Sequence, residues 1–428
     1  MSDTEKPAGA PALDPYGALR IRDFRLFLLG SAIGVAGGQI VSVALGWELY
    51  KRTHEPQVLG WIGLVRVLPV ILLSLPAGHV ADRFDRKKVM LLSQFSSALC
   101  SLWLAYLSFH EGSIWLMYLC LLLRSISATF GMPARSSLLP QVVPMDMLSN
   151  AVTWNSNAFQ VALVVGPVLG GMILNISVWQ AYVFDALCLL VAFLATMVIQ
   201  HRPSEVSREP ASLQSLGAGM RFVWRSKVIL AALTLDLLAV LLGGATALLP
   251  IFAEKLHVGA TGLGWLRAAP AMGAVSMALV LAHLPPMRRA GTTLLFAVAG
   301  FGISMIVFGL SESFWLCLAM LFVSGALDNI SVVVRHTLVQ FLAPDSMRGR
   351  ISAVNSMFIG ASNQLGEYES GETAHWFGPM WSVVGGGIGT LLVVLGVAAI
   401  FPQLRGVGQL DSLKPEPNPE EGEPVAAK

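Results

Sequence analysis

The chain has 428 residues, of which 55% are hydrophobic and 13% charged, with a mean hydropathy of +0.67 and a formal net charge of +2. An average soluble chain carries about a quarter charged residues, so there are too few here to cover soluble domains of this size. The same numbers exclude disorder, a collagen-like chain and a disulfide scaffold, and the small net charge argues against nucleic acid as a partner. The chain reads as an all-α integral membrane protein.

The first twenty residues are polar and rich in Pro and Ala. No cleavable leader is expected, because Arg20, Arg22 and Arg25 lead straight into a long apolar run. A membrane-crossing helix needs about 20 mostly apolar residues. Twelve such runs lie between Phe24 and Phe401, centred near Gly37, Leu68, Leu99, Leu123, Val164, Leu190, Leu241, Ala274, Ala299, Phe322, Gly360 and Val393. After the sixth comes the longest interior polar stretch. Its first part, His201 to Pro210, reads as an extended linker. Its second part places Leu213, Leu216, Met220, Val223 and Trp224 on one helical face beside Arg221 and Arg225, the pattern of a helix lying on a membrane surface. Six further runs follow, then a Pro- and Glu-rich tail expected to be disordered. The expected organisation is therefore a tail at 1–23, a six-helix bundle at 24–201, a linker with a surface helix at 202–227, a second six-helix bundle at 228–402 and a tail at 403–428.

Lys and Arg set the orientation, because they accumulate in cytoplasmic loops. Of the 28, 22 fall on the side that holds both termini, Arg335 among them, three fall on the opposite side (Lys51, Arg52, Lys255) and three lie within spans (Arg66, Arg124, Arg267). Both termini are expected in the cytoplasm and the number of spans is even.

The two halves repeat each other. Arg135, Pro144, Met147, Asn155, Ser156, Gly166 and Gly171 recur 200 residues later as Arg335, Pro344, Met347, Asn355, Ser356, Gly366 and Gly371. Gly60-Trp61 and Arg66-x-x-Pro69 return as Gly264-Trp265 and Arg267-x-x-Pro270. A repeat in the same sense after six spans predicts two bundles related by an axis along the membrane normal.

At these residues a family resemblance appears. The segment Gly78-His-Val-Ala-Asp82-Arg83-Phe-Asp85-Arg86-Lys87-Lys88 resembles the signature loop of the major facilitator superfamily. Gly166-Pro167-Val-Leu-Gly170-Gly171 resembles the antiporter motif of its exporters, and Arg124 resembles the intramembrane arginine of its proton-coupled drug exporters. Pro344, Arg348 and Arg350, together with Gly366-Glu-Tyr-Glu-Ser-Gly371, resemble the siderophore, macrolide and multidrug efflux branch. Glycines of the family patterns are replaced by Asp85, Ala128, Thr153 and Ala162. The resemblance implies a multi-pass protein of the bacterial inner membrane, an alternating-access exporter working as a monomer and exchanging protons for amphiphilic small molecules. A lysophospholipid or lipid flippase of the same fold is the alternative, and a non-transporting membrane receptor a remote one.

Charges inside the membrane are costly and default to functional candidates. Here they are Arg66, Arg124, Asp185, Asp236, Arg267, Asp328, Glu367 and Glu369, with Glu48 near the end of the first span. A charge present in both halves serves the shared fold more readily than an asymmetric substrate. Arg66, Arg267 and Asn155 are therefore read as structural. Arg124, Asp236, Asp328, Asn355, Asn363 and Glu367 are read as proton-coupling or substrate residues. Asp82 at the end of span two is expected to accept hydrogen bonds from the start of span eleven, near Arg350, when that side is closed. This makes Gly78, Asp82, Arg83, Arg86, Lys87 and Arg350 a gating group. Gly166, Pro167, Gly170 and Gly171 are expected to let span five approach a neighbour closely.

The four cysteines sit in apolar runs without metal-ligand spacing. No phosphate-binding loop or nucleophile triad is present. Neither a cofactor nor enzymatic chemistry is expected.

Overall fold

The computed structural model describes residues 14–200, 213–285, 287–344 and 347–408. The expected tails at 1–13 and from 409 onward, and the linker at 201–212, lie outside the described residues. The chain is helical throughout the described part. A short 3-10 turn at Ala18–Arg20 precedes α1 (Arg22–Thr53), α2 (Pro56–Arg83), α3 (Arg86–Phe109), α4 (Ile114–Leu138), α5 (Leu148–Leu174) and α6 (Val178–Val198). These form the first bundle. Next come α7 (Leu213–Arg225), α8 (Lys227–Gly243), α9 (Leu249–Lys255), α10 (Gly259–His283), α11 (Ala290–Leu310), α12 (Phe314–Leu342), α13 (Arg348–Phe377), α14 (Pro379–Ile400) and the short α15 (Pro402–Arg405).

Local chemistry places the ends. Pro56 and Pro379 stand in the first turns of α2 and α14, where the missing N–H costs nothing. His54 closes α1 with a left-handed backbone, its N–H donating to the Tyr50 carbonyl at 2.7 Å. The repeat reappears as a repeated turn: Met147 N–H donates to Pro144 O at 3.1 Å and Met347 N–H to Pro344 O at 2.9 Å.

Packing follows the same symmetry. α1 lies against α5 and α6, as α8 lies against α13 and α14. α3 packs on α4 and α6, as α11 packs on α12 and α14. α2 packs on α4, as α10 packs on α12. Between the bundles α2 meets α13 and α5 meets α10, again an equivalent pair. Large apolar side chains such as Leu72, Phe296 and Leu392 point outward and exposed, a surface suited to lipid and not to water.

Among the described residues, eleven helices, counting α8 and α9 as one crossing, are long and apolar enough to span a membrane. The twelfth expected span, α13, has the length but not the apolarity. It lies between α2 and α8, and its Asn355, Ser362 and Ser370 are buried. The seventh crossing is also irregular. The helix stops at Gly243, passes through a 3-10 turn at Thr246–Leu248 and resumes as α9. Ser370 of α13 donates its hydroxyl to the Gly244 carbonyl at 2.7 Å, replacing a bond the break removes.

α7 forms where an amphipathic surface helix is expected, but part of its apolar side is claimed by protein. Phe222 and Val223 are buried in the second bundle, while Trp224 stays exposed. Residues 403–405, expected in the disordered tail, belong to α15, whose Leu404 is fully buried against α11.

Candidate functional site

The two bundles close on each other at the end away from the termini. Glycines make the approach possible. A Cβ on Gly60 would stand 2.9 Å from Tyr368 O and 3.0 Å from Gly371 Cα, and one on Gly63 would stand 2.8 Å from Glu367 Cβ. On the symmetric seam, a Cβ on Gly171 would stand 2.5 Å from Ala260 O and 2.9 Å from Gly264 Cα. The antiporter-like motif is thus shared between two contacts. Gly166 and Gly170 face Ala36 and Ile40 of α1, whereas Pro167 and Gly171 face Gly264 of α10 across the interface. Polar contacts cap this closure. Lys51 pairs with Glu254 at 2.6 Å, Gln57 donates to both Glu372 oxygens at 3.1 Å, and Asn175 donates to Thr261. Trp61 meets Tyr368 edge to face at 6.2 Å.

One to two turns deeper lies a charged cluster drawn from both bundles. Arg66 of α2 and Arg267 of α10 each donate to the Ser42 hydroxyl of α1, at 3.1 and 2.9 Å. Arg267 also donates to Thr246 O at 3.3 Å, at the break in the seventh crossing. Glu367 of α13 stands 3.9 Å from each guanidinium. All three charged side chains are at most one-fifth exposed. The sequence expectation separated the arginines as structural and Glu367 as coupling. The structure brings them into one site, and the symmetry explains why: equivalent positions on α2 and α10 face each other across the seam. Ser42 gave no signal in the sequence, being a single serine in an apolar run.

The remaining intramembrane charges stay inside one bundle. In the first, Arg124 forms a forked pair with Asp185 of α6, at 2.6 and 3.2 Å, and Ser101 donates to the same carboxylate. Gly37 leaves the space: a Cβ there would stand 2.6 Å from Asp185 Oδ1. Asp185 is fully buried and is the carboxylate paired with Arg124. Its sequence signal was an opposite charge in a neighbouring span. In the second bundle Asp236 pairs with Arg335. Counting Arg335 as a loop cation was wrong. It lies two turns inside α12 and is 1% exposed, because Asp236 compensates it there.

Asp328 and Asp236 line a small cavity between α8, α11 and α12, together with Phe301, Leu327 and Ser331. The Ser331 hydroxyl is buried without a hydrogen-bond partner. No cation lies within ion-pair distance of Asp328 among the described residues. Asn155 and Asn355 do not bridge helices through their side-chain oxygens, both of which are buried and unbonded. Asn363 donates to Ile359 O of its own helix at 2.8 Å and does not join the cluster.

At the terminus-bearing end the signature loop is open. A Cβ on Gly78 would meet nothing within 4 Å beyond its own helix, and Asp82 and Arg83 are exposed. Asp85, where the family pattern has glycine, caps α3 by accepting from Lys87 N–H at 2.9 Å. The Lys87 ammonium donates to Met197 O and Ile199 O at 2.9 and 2.7 Å, neutralising the C-terminal end of α6. Lys87 is thereby tied within its own bundle, while Arg86 and Arg350 remain half-buried near the helix starts.

A family model described as transmembrane secretion effector matches residues 13–426. The enterobactin exporter EntS of Shigella boydii serotype 4 (strain Sb227) is 24% identical over 385 residues, covering 89% of this chain and 92% of that protein. Among solved structures, the nucleoside transporter NupG superimposes with a TM-score of 0.69 at 14% identity, covering 89% of this chain and 99% of that one. A bacterial homologue of the human lysosomal transporter Spinster, inward-facing and unoccupied, does so with a TM-score of 0.68 at 14% identity, covering 93% and 99%. At these identities the likeness to solved structures is one of fold.

Proposed function

Since the chain belongs to the transmembrane secretion effector family of the major facilitator superfamily and is a multi-pass membrane transporter, we propose that it exports amphiphilic small molecules from the cytoplasm of a bacterium in exchange for protons. The observation that carries this reading is the closure at one end of the interface, backed by glycines and underlain by the Arg66–Arg267–Glu367 cluster, with the signature loop open at the other end. The Lys and Arg distribution supports assigning the open end to the cytoplasm and the protein to the inner membrane. The cluster is complete within one chain, which supports a monomer as the transporting unit.

Export then proceeds by alternation. Substrate enters from the cytoplasmic side between the bundles, the glycine-backed outer seams part, and Asp82 meets the start of α13 to close the inner side. That contact biases the equilibrium by the energy it holds in one state only. The work needs no nucleotide, and the protein acts as a carrier and not as an enzyme. Asp328 is the proton carrier in this reading, because its carboxyl borders a cavity and has no ion-pair partner among the described residues. Asp236 is held by Arg335 and Asp185 by Arg124.

The test uses everted membrane vesicles and an amphiphilic dye. Uptake driven by an imposed proton gradient should collapse with a protonophore, and Asp328→Asn should exchange preloaded dye without accumulating it. Uptake indifferent to the gradient would remove the proton from the mechanism.

A further inference from the structure

Arg66 and Arg267 are two cations facing one carboxylate. Their described partners are few for two guanidiniums, each of which presents a fork of N–H donors. Both share one acceptor, Ser42 Oγ, and Arg267 has one carbonyl besides. Glu367 stands 3.9 Å from each, beyond hydrogen-bond reach. Among the described residues no other carboxylate is paired with either arginine: Asp185 is taken by Arg124 and Asp236 by Arg335. The interface between the bundles therefore holds an excess positive charge at side chains no more than one-fifth exposed, with donors from both bundles aimed at one place. Such a fork matches carboxylate, sulfonate or phosphate groups, with which it forms charge-assisted bonds.

We propose that Arg66 and Arg267 form a two-bundle clamp for the anionic head group of an amphiphilic substrate, and that Glu367 is the clamp's internal counter-ion, displaced when the substrate binds. The inference rests on the transport reading above and names the substrate class of its site. A symmetric position suits this role. An anion held by one arginine from each bundle keeps a partner while the bundles rock, and on release Glu367 takes its place. A neutral amphiphile gains nothing from the clamp and a cationic one is repelled.

Two dyes that share a ring system test this. The probes are 1-anilinonaphthalene-8-sulfonate and N-phenyl-1-naphthylamine, which differ by the sulfonate. Binding is measured to the full chain in phosphatidylcholine nanodiscs, with empty nanodiscs subtracted. The sulfonate dye should bind about tenfold more tightly than the neutral one. Arg66→Gln and Arg267→Gln should each remove that preference, weakening the sulfonate dye about tenfold more than the neutral one. Glu367→Gln should tighten the sulfonate dye by about threefold, a gain that a merely structural ion pair would not produce. Equal affinity for the two dyes in the unmodified protein, or weaker sulfonate binding in Glu367→Gln, overturns the clamp while neutral-dye binding leaves the transport reading standing. Binding of neither dye counts against both. Displacement of the sulfonate dye by inorganic phosphate at dye-like concentration would make this a free-anion site and overturn the amphiphile assignment.

Discussion

The two bundles share a plan but spend their polar groups differently. In the first, α1 runs 32 residues without a break, and Arg124, Asp185 and Ser101 satisfy one another in the interior. In the second, the equivalent crossing breaks after Gly243, α13 is too polar to count as an apolar span, and Asp328 borders a cavity without an ion-pair partner among the described residues. In the function proposed above, the duplicated architecture leaves the first half as a scaffold and gives the second the loosened backbone and the carboxyl without an ion-pair partner that a coupling half needs. Arg66 and Arg267 are where the halves remain equal, and there they meet.

The strongest way to break this comparison is to strike each half's carboxylate. Asp185→Asn leaves the Arg124 guanidinium buried without its counter-charge and should cost about 3–5 kcal/mol, read as a lowered unfolding midpoint in detergent. Transport per folded molecule should survive. Asp328→Asn breaks no ion pair and should leave that midpoint nearly unchanged while abolishing accumulation. A reversed outcome, with Asp185→Asn stable but inactive, would make the first bundle the coupling half.

A smaller effect sharpens the seam between them. Gly63→Val inserts atoms where a Cβ alone would stand 2.8 Å from Glu367 Cβ. Overpacking of this kind costs about 1–3 kcal/mol, and only in the state closed at this end. The variant should shift toward the opposite state, seen as faster thiol labelling of a cysteine placed at the far end. Smallest of all is Lys51–Glu254, whose side chains are more than one-third exposed. A double-mutant cycle should return about 0.2–1 kcal/mol for the pair.

Much of the architecture was legible because it follows from periodic quantities. Apolar run length fixes the crossings, the 200-residue offset fixes the relation between bundles, and the repeated Arg-x-x-Pro segments already placed Arg66 and Arg267 at equivalent sites. What stayed hidden depends on pairing across space. Arg335 sits seven residues before the end of α12, and nothing in its neighbours along the chain reveals that Asp236 reaches it from α8. Arg124 was visible as a costly charge, but its partner could have been any carboxylate on a neighbouring span. Ser42 and Ser331 carry no periodic signature at all. Asp85 looked like a departure from a family pattern until its carboxylate was seen capping α3.

Reciprocal motion of the two ends is the core of the account, and paired distances measure it. In a background lacking Cys100, Cys120, Cys188 and Cys317, spin labels at His54→Cys and Phe377→Cys report the far end, and labels at Phe84→Cys and Leu284→Cys report the terminus-bearing end. Double electron–electron resonance on the otherwise unmodified protein and on Gly63→Val should show the far-end distance lengthening as the other shortens. A far end that opens while the terminus-bearing end stays as wide, or two distances that lengthen together, would contradict alternating access in this protein.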